Sequence, residues 1–358
     1  MHLIGLDENY NNVAYINYTN LQWKRRYYET GSWTAQILEA DYDPRIKYVY
    51  TPDRPEFGLV QRVETQQNIK GRFVLISGLF IECIFNRQIA FPHITGTFNL
   101  KELVRQYTQR SWYKPDRYAL IADPNNPDDQ GVEVKWERGY IGDYVNETLK
   151  TLEYSHRIVF DPVEHTFTYR IWRGLDRTQS QTENAYVMFS EESCYVTDFK
   201  YIEDESNYKN VAMILHGDQP SRHDVALEGH EHEDARWLLV NASDDDTKEA
   251  RKAYAREELQ NYPFIREAEV DVIQNGLFYL TDYDLGDKCD IVFHRLQKRF
   301  EARITGVDEV FKNGTHDVTL LFGEQSQTVY QRMKHMMESE KKALGLTNGL
   351  NNGGSWTE

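Results

Sequence analysis

Leu21-Gln-Trp23-Lys-Arg25-Arg-Tyr27-Tyr-Glu29-Thr-Gly31 is the stretch from which the rest of the chain can be read. Successive side chains of an extended strand point to opposite faces. Leu21, Trp23, Arg25 and Tyr27 therefore share one face, and Gln22, Lys24, Arg26 and Tyr28 the other. Residues 29–32 make a turn, and the alternation resumes in Trp33-Thr-Ala35-Gln-Ile37-Leu38, which predicts a hairpin. Bases interleaved with aromatics also occur where proteins stack single-stranded nucleic acid. In this chain acids exceed bases 57 to 41, so a half-buried strand whose basic tips pair with carboxylates is the stronger reading. Trp23, Arg25, Arg26 and Tyr28 are the candidates in this block for contact with a partner.

Outward from this hairpin, residues 46–50, 58–65 and 72–89 add further strands, the last with a bend at Gly78. Close spacing of strands between Asp, Pro and Gly turns indicates a barrel or a sandwich. The period then changes. Asn99 stands before Leu100, Leu103, Val104 and Tyr107, with Glu102 three residues on, a capping arrangement at a helix start. Ile141, Tyr144, Val145, Thr148, Leu149 and Leu152 carry a second helical pattern, and residues 157–160 and 167–172 return to strand. Strands follow at 186–189, 196–201, 212–215 and 237–240, then a charged helix from about Thr247 to Tyr262. The last strands are 269–273, 289–294, 299–307 and 317–322, with Phe300, Ala302 and Ile304 alternating against Arg299, Glu301 and Arg303. Residues 325–344 read as an exposed helix and 345–358 as a tail.

Composition excludes several classes. A formal net charge of −16 over 358 residues does not suit a protein that coats nucleic acid or a polybasic membrane binder. The 47 aromatic residues give apolar surface enough to fold. Residues 1–9 lack a basic n-region, and the apolar run 73–85 is interrupted by Glu82 and too short to span a bilayer. No membrane span is expected. Cys83, Cys194 and Cys289 form no C-x-x-C pair and read as reduced, buried small hydrophobes.

Few constellations suggest chemistry. His223 with His230-Glu-His232 is the one candidate metal set, since residues two apart on a strand point the same way. A solvated acidic loop is the stronger reading, because a single loop rarely supplies the ligand number and geometry a metal needs. Asp282-Tyr-Asp284-Leu-Gly286-Asp287 lacks the order and distal Glu of a calcium loop and reads as a turn with Gly286 in a conformation other residues avoid. There is no nucleophile elbow and no phosphate-binding glycine loop. The chain is expected to have no catalytic or cofactor site and no cofactor. Two other classes remain to be weighed: a glycan-binding or cell-wall-degrading protein, from the aromatics and acids, and a metal-dependent hydrolase built on the three histidines.

Five groups of residues, taken together and in order, resemble one family. They are the Leu21 to Gly31 stretch, Gly174-Leu-Asp-Arg-Thr178, Phe189-Ser-Glu-Glu192, Ser206-Asn-Tyr-Lys-Asn-Val-Ala212, and Asp282 to Asp287 with the later Arg303-Ile-Thr and Phe322-Gly-Glu324. The set is similar to the tail-hub, or tail-tip, proteins of siphophages, which share their fold with the baseplate hub of contractile phages. The resemblance implies an α+β, β-rich, baseplate-hub-like fold of two β-barrel-like domains and two smaller mixed α/β domains. Applied to this chain, residues 1–95 form the first β-barrel-like domain, completed by strands from 185–215. Residues 96–175 are a small α/β insertion, 176–268 a mixed segment with the acidic loop and charged helix, 269–324 the second barrel-like segment, and 325–358 a C-terminal helix and tail.

The resemblance also implies a role. The protein is expected to be a structural homotrimer at the virion tail tip, assembled in the host cytoplasm. It would contact the distal tail protein ring, the tape-measure protein and other tail-tip or receptor-binding proteins, close the tube, and open for DNA ejection with transient contact to the passing DNA. Larger relatives append hydrolase or receptor-binding modules. Only 34 residues follow Glu324, so such activities are expected on other polypeptides. Val329, Met333, Met336 and Met337 lie along one side of the C-terminal helical pattern, either as a partner surface or as packing on the chain itself.

Overall fold

The computed structural model describes residues 1–69, 71–91, 93–108, 118–128, 131–136, 139–216, 223–227, 234–242, 247–312 and 314–323. Strand outweighs helix 49% to 15%, so the chain is β-rich with few helices. It divides into two compact units. The first holds Met1–Lys200 and Ala268–Phe322; the second holds Tyr201–Glu267 and, among the described residues, Gly323.

The first unit is organised by a sheet whose spine is Tyr18–Arg26, Ser32–Leu38, Gly71–Leu79 and Arg62–Asn68, four antiparallel neighbours of which the first two and the last two are hairpins. On the other side of Tyr18–Arg26 lies the 15-residue strand Lys298–Lys312. Gly306 pairs with Arg26 and Lys312 with Asn20, which joins parts of the chain nearly 300 residues apart in sequence by backbone hydrogen bonds. The same strand pairs along its other edge with Thr315–Gly323, and through its first half with Lys288–Phe293, which takes Met188–Ser190 as a parallel neighbour. The path from Val196–Asp204 and Ile265–Val272 at one end to Arg62–Asn68 at the other is open. No closed sheet is found among the described residues.

The predicted hairpin is present, and its alternation sorts burial as expected. Leu21, Trp23, Arg25 and Tyr27 are buried, while Gln22, Lys24, Arg26 and Tyr28 are half-buried. Trp23 faces Trp33 across the pair and packs on Phe80 with ring centroids 4.7 Å apart. In Lys298–Lys312 the inward positions are Ala302 and Ile304, then Val307, Glu309 and Phe311. The register shifts between Ile304 and Gly306, and this one-residue bulge changes the parity of the inward face.

The smaller α/β part of this unit follows the predicted periods. Helix α1, Leu100–Thr108, begins where expected: the Asn99 side chain accepts the Glu102 N–H at 2.8 Å, and its carbonyl accepts the Leu103 N–H at 2.9 Å. Helix α2, Ile141–Thr151, buries Ile141, Val145 and Leu149. Thr166–Trp172 pairs antiparallel with Ser155–Asp161 and parallel with Leu120–Ala122. Phe85, Tyr107, Trp136 and Tyr169 lie together in the core beneath the helices.

Three expectations are corrected. The strand expected over 72–89 ends at Leu79, and Ile81–Arg87 is a 3-10 helix whose first five residues are all buried. An apolar run buried on every side has no period to distinguish strand from helical turn. The strand expected over 58–65 is two, Phe57–Leu59 and Arg62–Asn68, which join different sheets. Cys194 is exposed, whereas Cys83 and Cys289 are buried as expected, and all three are free thiols.

In the second unit, Val211–His216 lies between His223–Leu227, antiparallel, and Trp237–Ala242, parallel. Helix α3, Lys248–Gln260, packs on this sheet through Ala255 and Leu259 against Ala212, Ile214 and Val240. The described helices of the chain include none long and apolar enough to cross a membrane.

Glu82 is the charged residue within that buried 3-10 turn. Its carboxylate accepts the Ile158 N–H at 2.8 Å, and burial raises its pKa to about 7, against the opposing pull of that N–H. An acid with a raised folded-state pKa favours the fold while protonated. That contribution is complete below the ordinary value of 4.5 and is lost as pH rises to about 7. Glu82→Gln should therefore gain stability relative to the parent between these pH values and hold a gain of about 3 kcal/mol above them. Urea unfolding of both proteins from pH 4 to 8 measures this, and a difference independent of pH would contradict it.

Candidate functional site

The inward face of Tyr18–Arg26 places a guanidinium where a hydrophobic side chain would be expected. Arg25 is 1% exposed. Its Nε donates to Glu56 Oε1 at 2.6 Å and its Nη1 to Asp284 Oδ1 at 2.8 Å; Nη1 also donates to the Tyr279 hydroxyl. Glu56 accepts a further hydrogen bond from Trp23 Nε1. Burial disfavours the Arg25 charge, but Glu56, Tyr279 and Asp284 outweigh it and hold the group fully protonated. A second buried pair lies beside the first. Glu309, wholly buried, accepts Arg54 Nε at 2.8 Å on one carboxylate oxygen and Arg54 Nη2 on the other, and pairs with His316 Nε2 at 2.9 Å. Burial disfavours its charge, yet hydrogen bonds from Arg54 and His316 keep its pKa below the ordinary value. The Arg25 and Arg54 guanidinium groups both lie against the ring of Tyr279, at 5.9 and 5.4 Å.

Next to this cluster four of the five groups singled out in the sequence, all but Ser206–Ala212, come together. Asp287 accepts the Leu175 N–H at 2.7 Å, Arg177 Nε at 2.6 Å and the Asp284 N–H at 3.1 Å. Backbone bonds link Lys288 to Leu175 and Arg177 to Lys288, each at 2.8 Å. Gly174 must be glycine, because a Cβ there would lie 1.9 Å from the Gly286 carbonyl oxygen. Gly286 has φ +87, as the turn reading expected, and a Cβ on it would strike the Tyr27 ring at 2.3 Å. Arg303 donates to the Gly286 carbonyl at 2.6 Å and lies over Tyr27 at 5.3 Å. Phe189 packs edge-on to Tyr283 and against Phe322. Segments starting near residues 21, 174, 189, 282 and 303 thus form one joint.

Chemically, this joint fixes backbone segments to one another. The carboxylates of Asp282–Asp287 are occupied by protein donors: Asp282 by the Phe278 N–H, Asp284 by Arg25, Asp287 by Arg177 and two N–H groups. That agrees with a turn rather than a calcium loop. No group of three or more His, Cys, Asp or Glu able to hold a metal occurs among the described residues. Of the candidate metal residues, His230 and His232 lie outside the described residues, as does the side chain of His223, whose backbone starts the strand His223–Leu227.

The interface candidates separate. Trp23 and Arg25 are core residues, not surface ones, since their face of the strand packs inward against Phe80 and Glu56. Arg26 and Tyr28 are half-buried on the outer face; Arg26 pairs with Asp308, and Tyr28 packs on Tyr27 at 4.7 Å. Val329, Met333, Met336 and Met337 lie outside the described residues. The reading that basic tips of this strand pair with carboxylates holds for Lys24 and Arg26, which both reach Asp308. Sequence reasoning missed Glu56, Tyr279, Arg54 and Glu309. A signal did exist for Glu309, a charge at an inward position of an alternating strand, but the bulge at residue 305 concealed its parity.

With this geometry in view, comparison with known proteins is informative. The family model for siphovirus ReqiPepy6 Gp37-like proteins matches residues 6–324. The chain belongs to that family. No curated protein matches it in sequence. Among solved structures it is similar to the 43 kDa tail protein of prophage MuSo2 from Shewanella oneidensis, with TM-score 0.59 and 12% identity over 90% of this chain and 98% of that one. It is also similar to the tail protein from Neisseria meningitidis MC58, with TM-score 0.57 and 12% identity over 90% and 96%. The prophage tail protein gp18 from Listeria monocytogenes EGD-e gives TM-score 0.54 and 15% identity over 95% and 100%. This siphovirus family member therefore has the fold of phage tail proteins, in agreement with the resemblance drawn from its residues.

Removing one member of a buried pair leaves the other charged and unpaired, which costs roughly 3–5 kcal/mol. Arg25→Met should destabilise the protein by about that much, and adding Glu56→Leu should recover at least about half of it by removing the stranded charge. Arg62→Ala, at an ion pair 73% exposed on the arginine side, should change stability by less than about 1 kcal/mol. Denaturant midpoints of the four proteins decide, and an Arg25→Met variant as stable as the parent would contradict the assignment.

Proposed function

We propose that this siphovirus protein is the structural hub at the tip of the phage tail, a homotrimer that closes the tail tube and opens for DNA ejection. Family membership over residues 6–324 supplies the context, and the joint around Arg25 supports a structural rather than a catalytic use of its charged residues. The observation that carries the reading is the open sheet. Its terminal strand Arg62–Asn68 pairs on one side only, with Gly71–Leu79, among the described residues. A sheet edge of this kind is a template for another chain, and head-to-tail pairing between copies generates a ring when the rotation closes. Under this reading the barrel expected of the fold is completed between copies rather than within one.

The ring would seat against the distal tail protein ring, receive the end of the tape-measure protein and carry other tail-tip or receptor-binding proteins. Its net charge of −16 suits a passage for DNA, because like charge keeps a phosphate backbone from adhering to the wall. Antibody against this chain, gold-labelled on intact virions, should mark the tail end distal to the capsid, and quantitative mass spectrometry should find three copies per tail. Label along the tube or on the capsid, or a copy number that three does not divide, would overturn the proposal.

A further inference from the structure

The three-stranded sheet of Leu120–Ala122, Thr166–Trp172 and Ser155–Asp161 turns one face to the core, through Ile158, Phe160, Phe167, Tyr169 and Ile171. Alternation sends Arg157, Val159, Thr168, Arg170 and Trp172 to the other face. There Arg157 and Arg170 stand directly opposite each other across the antiparallel pair, a position in which like charges are destabilising. Arg170 has a counter-ion, since its Nε donates to Asp123 Oδ2 at 2.6 Å.

Arg157 is half-buried, and its guanidinium lies 4.9 Å from the centroid of the Trp172 ring, which holds it in place. Among the described residues its Nε, shielded from solvent, meets no acceptor, and no carboxylate pairs with the group. Burial lowers its pKa; Glu56 and Asp284 favour the charge from beyond pairing distance, and Arg25 and Arg170 oppose it. Other arginines withdrawn from solvent in this unit show what is missing. Arg25 holds Glu56, Arg54 holds Glu309, Arg177 holds Asp287 and Arg303 holds Glu153. A charge that burdens the fold and is not used within it marks a place where local rules give way to function.

The contact that Arg157 lacks is a carboxylate, whose two oxygens match the fork of a guanidinium. Ile121, 54% exposed, and the half-buried Thr168 and Val159 form the next row of the same face, an apolar rim able to keep water from such a pair. Charge complementarity favours a second copy as its source, because this chain carries 57 acids against 41 bases. We infer that Arg157, positioned by Trp172, receives a carboxylate from a second copy of this chain. The inference rests on the homotrimer proposed above and assigns one contact within it.

The test measures self-association and stability on the full chain. Sedimentation over about 1–100 μM should show the parent associating. Arg157→Met and Arg157→Gln should each weaken that association at least about tenfold, because the partner carboxylate is left unpaired. The glutamine variant keeps the position polar, should the methionine create an apolar contact of its own. In dilute protein the urea midpoint of Arg157→Met should equal or exceed the parent's, because no internal pair is lost. A parent that stays monomeric, or variants that associate as it does, would overturn the inference, while copy number in the virion still decides the tail-tip reading by itself. An Arg157→Met midpoint lowered as far as that of Arg25→Met would also overturn it, by making Arg157 an internal structural residue.

Discussion

Arg25 sets the terms for the rest of the structure. A guanidinium removed from water must recover its hydration from fixed partners, and only a complete set of acceptors makes its burial tolerable. Here the acceptors come from places far apart in the chain: Glu56 is 31 residues away, Asp284 259 and Tyr279 254. The strand Tyr18–Arg26 can bury its inner face only when the segment around 279–284 is in position. That requirement couples the first hairpin to residues 279–284 and discriminates against any arrangement that leaves either part aside. The Arg54–Glu309–His316 group places the same demand on the loop after Tyr48–Tyr50 and on the strand that pairs with Tyr18–Arg26.

Around this constraint four of the five stretches that carried the family resemblance acquire a common meaning. Gly174 and Gly286 are where two backbones touch, Asp287 ties residues 175–177 to its own turn, and Tyr27 and Arg303 cover the contact. These are requirements of packing and hydrogen bonding. A protein that functions by shape concentrates its distinctive residues at the junctions of its fold. The sheet leaves Arg62–Asn68 at its edge, paired on one side only among the described residues.

Much of this was legible in the sequence, and what was not has physical causes. The hairpin, α1 with its Asn99 cap, α2, α3 and the turn at Gly286 follow from periodicity, capping and backbone stereochemistry, all of which are local. The 3-10 turn at Ile81–Arg87 was read as strand because a segment buried on all sides shows no alternation. Trp23 and Arg25 were placed on the right shared face, but which face would be buried depended on Glu56, Asp284 and Phe80, and long-range partners leave no mark on local pattern. Many short strands suggest a barrel, but closure depends on how edge strands pair, and that pairing leaves no mark on local pattern. The metal candidates His230 and His232 and the methionine stripe lie outside the described residues.

A reconstruction of the tail tip at side-chain resolution tests the account most directly. It should show three copies around the axis, the Arg62–Asn68 edge of each hydrogen-bonded to a strand of its neighbour, and the contacts of Arg25 with Glu56 and Asp284 buried within every copy. A ring in which that edge faces solvent, or in which Arg25 reaches across to another protein, would contradict it.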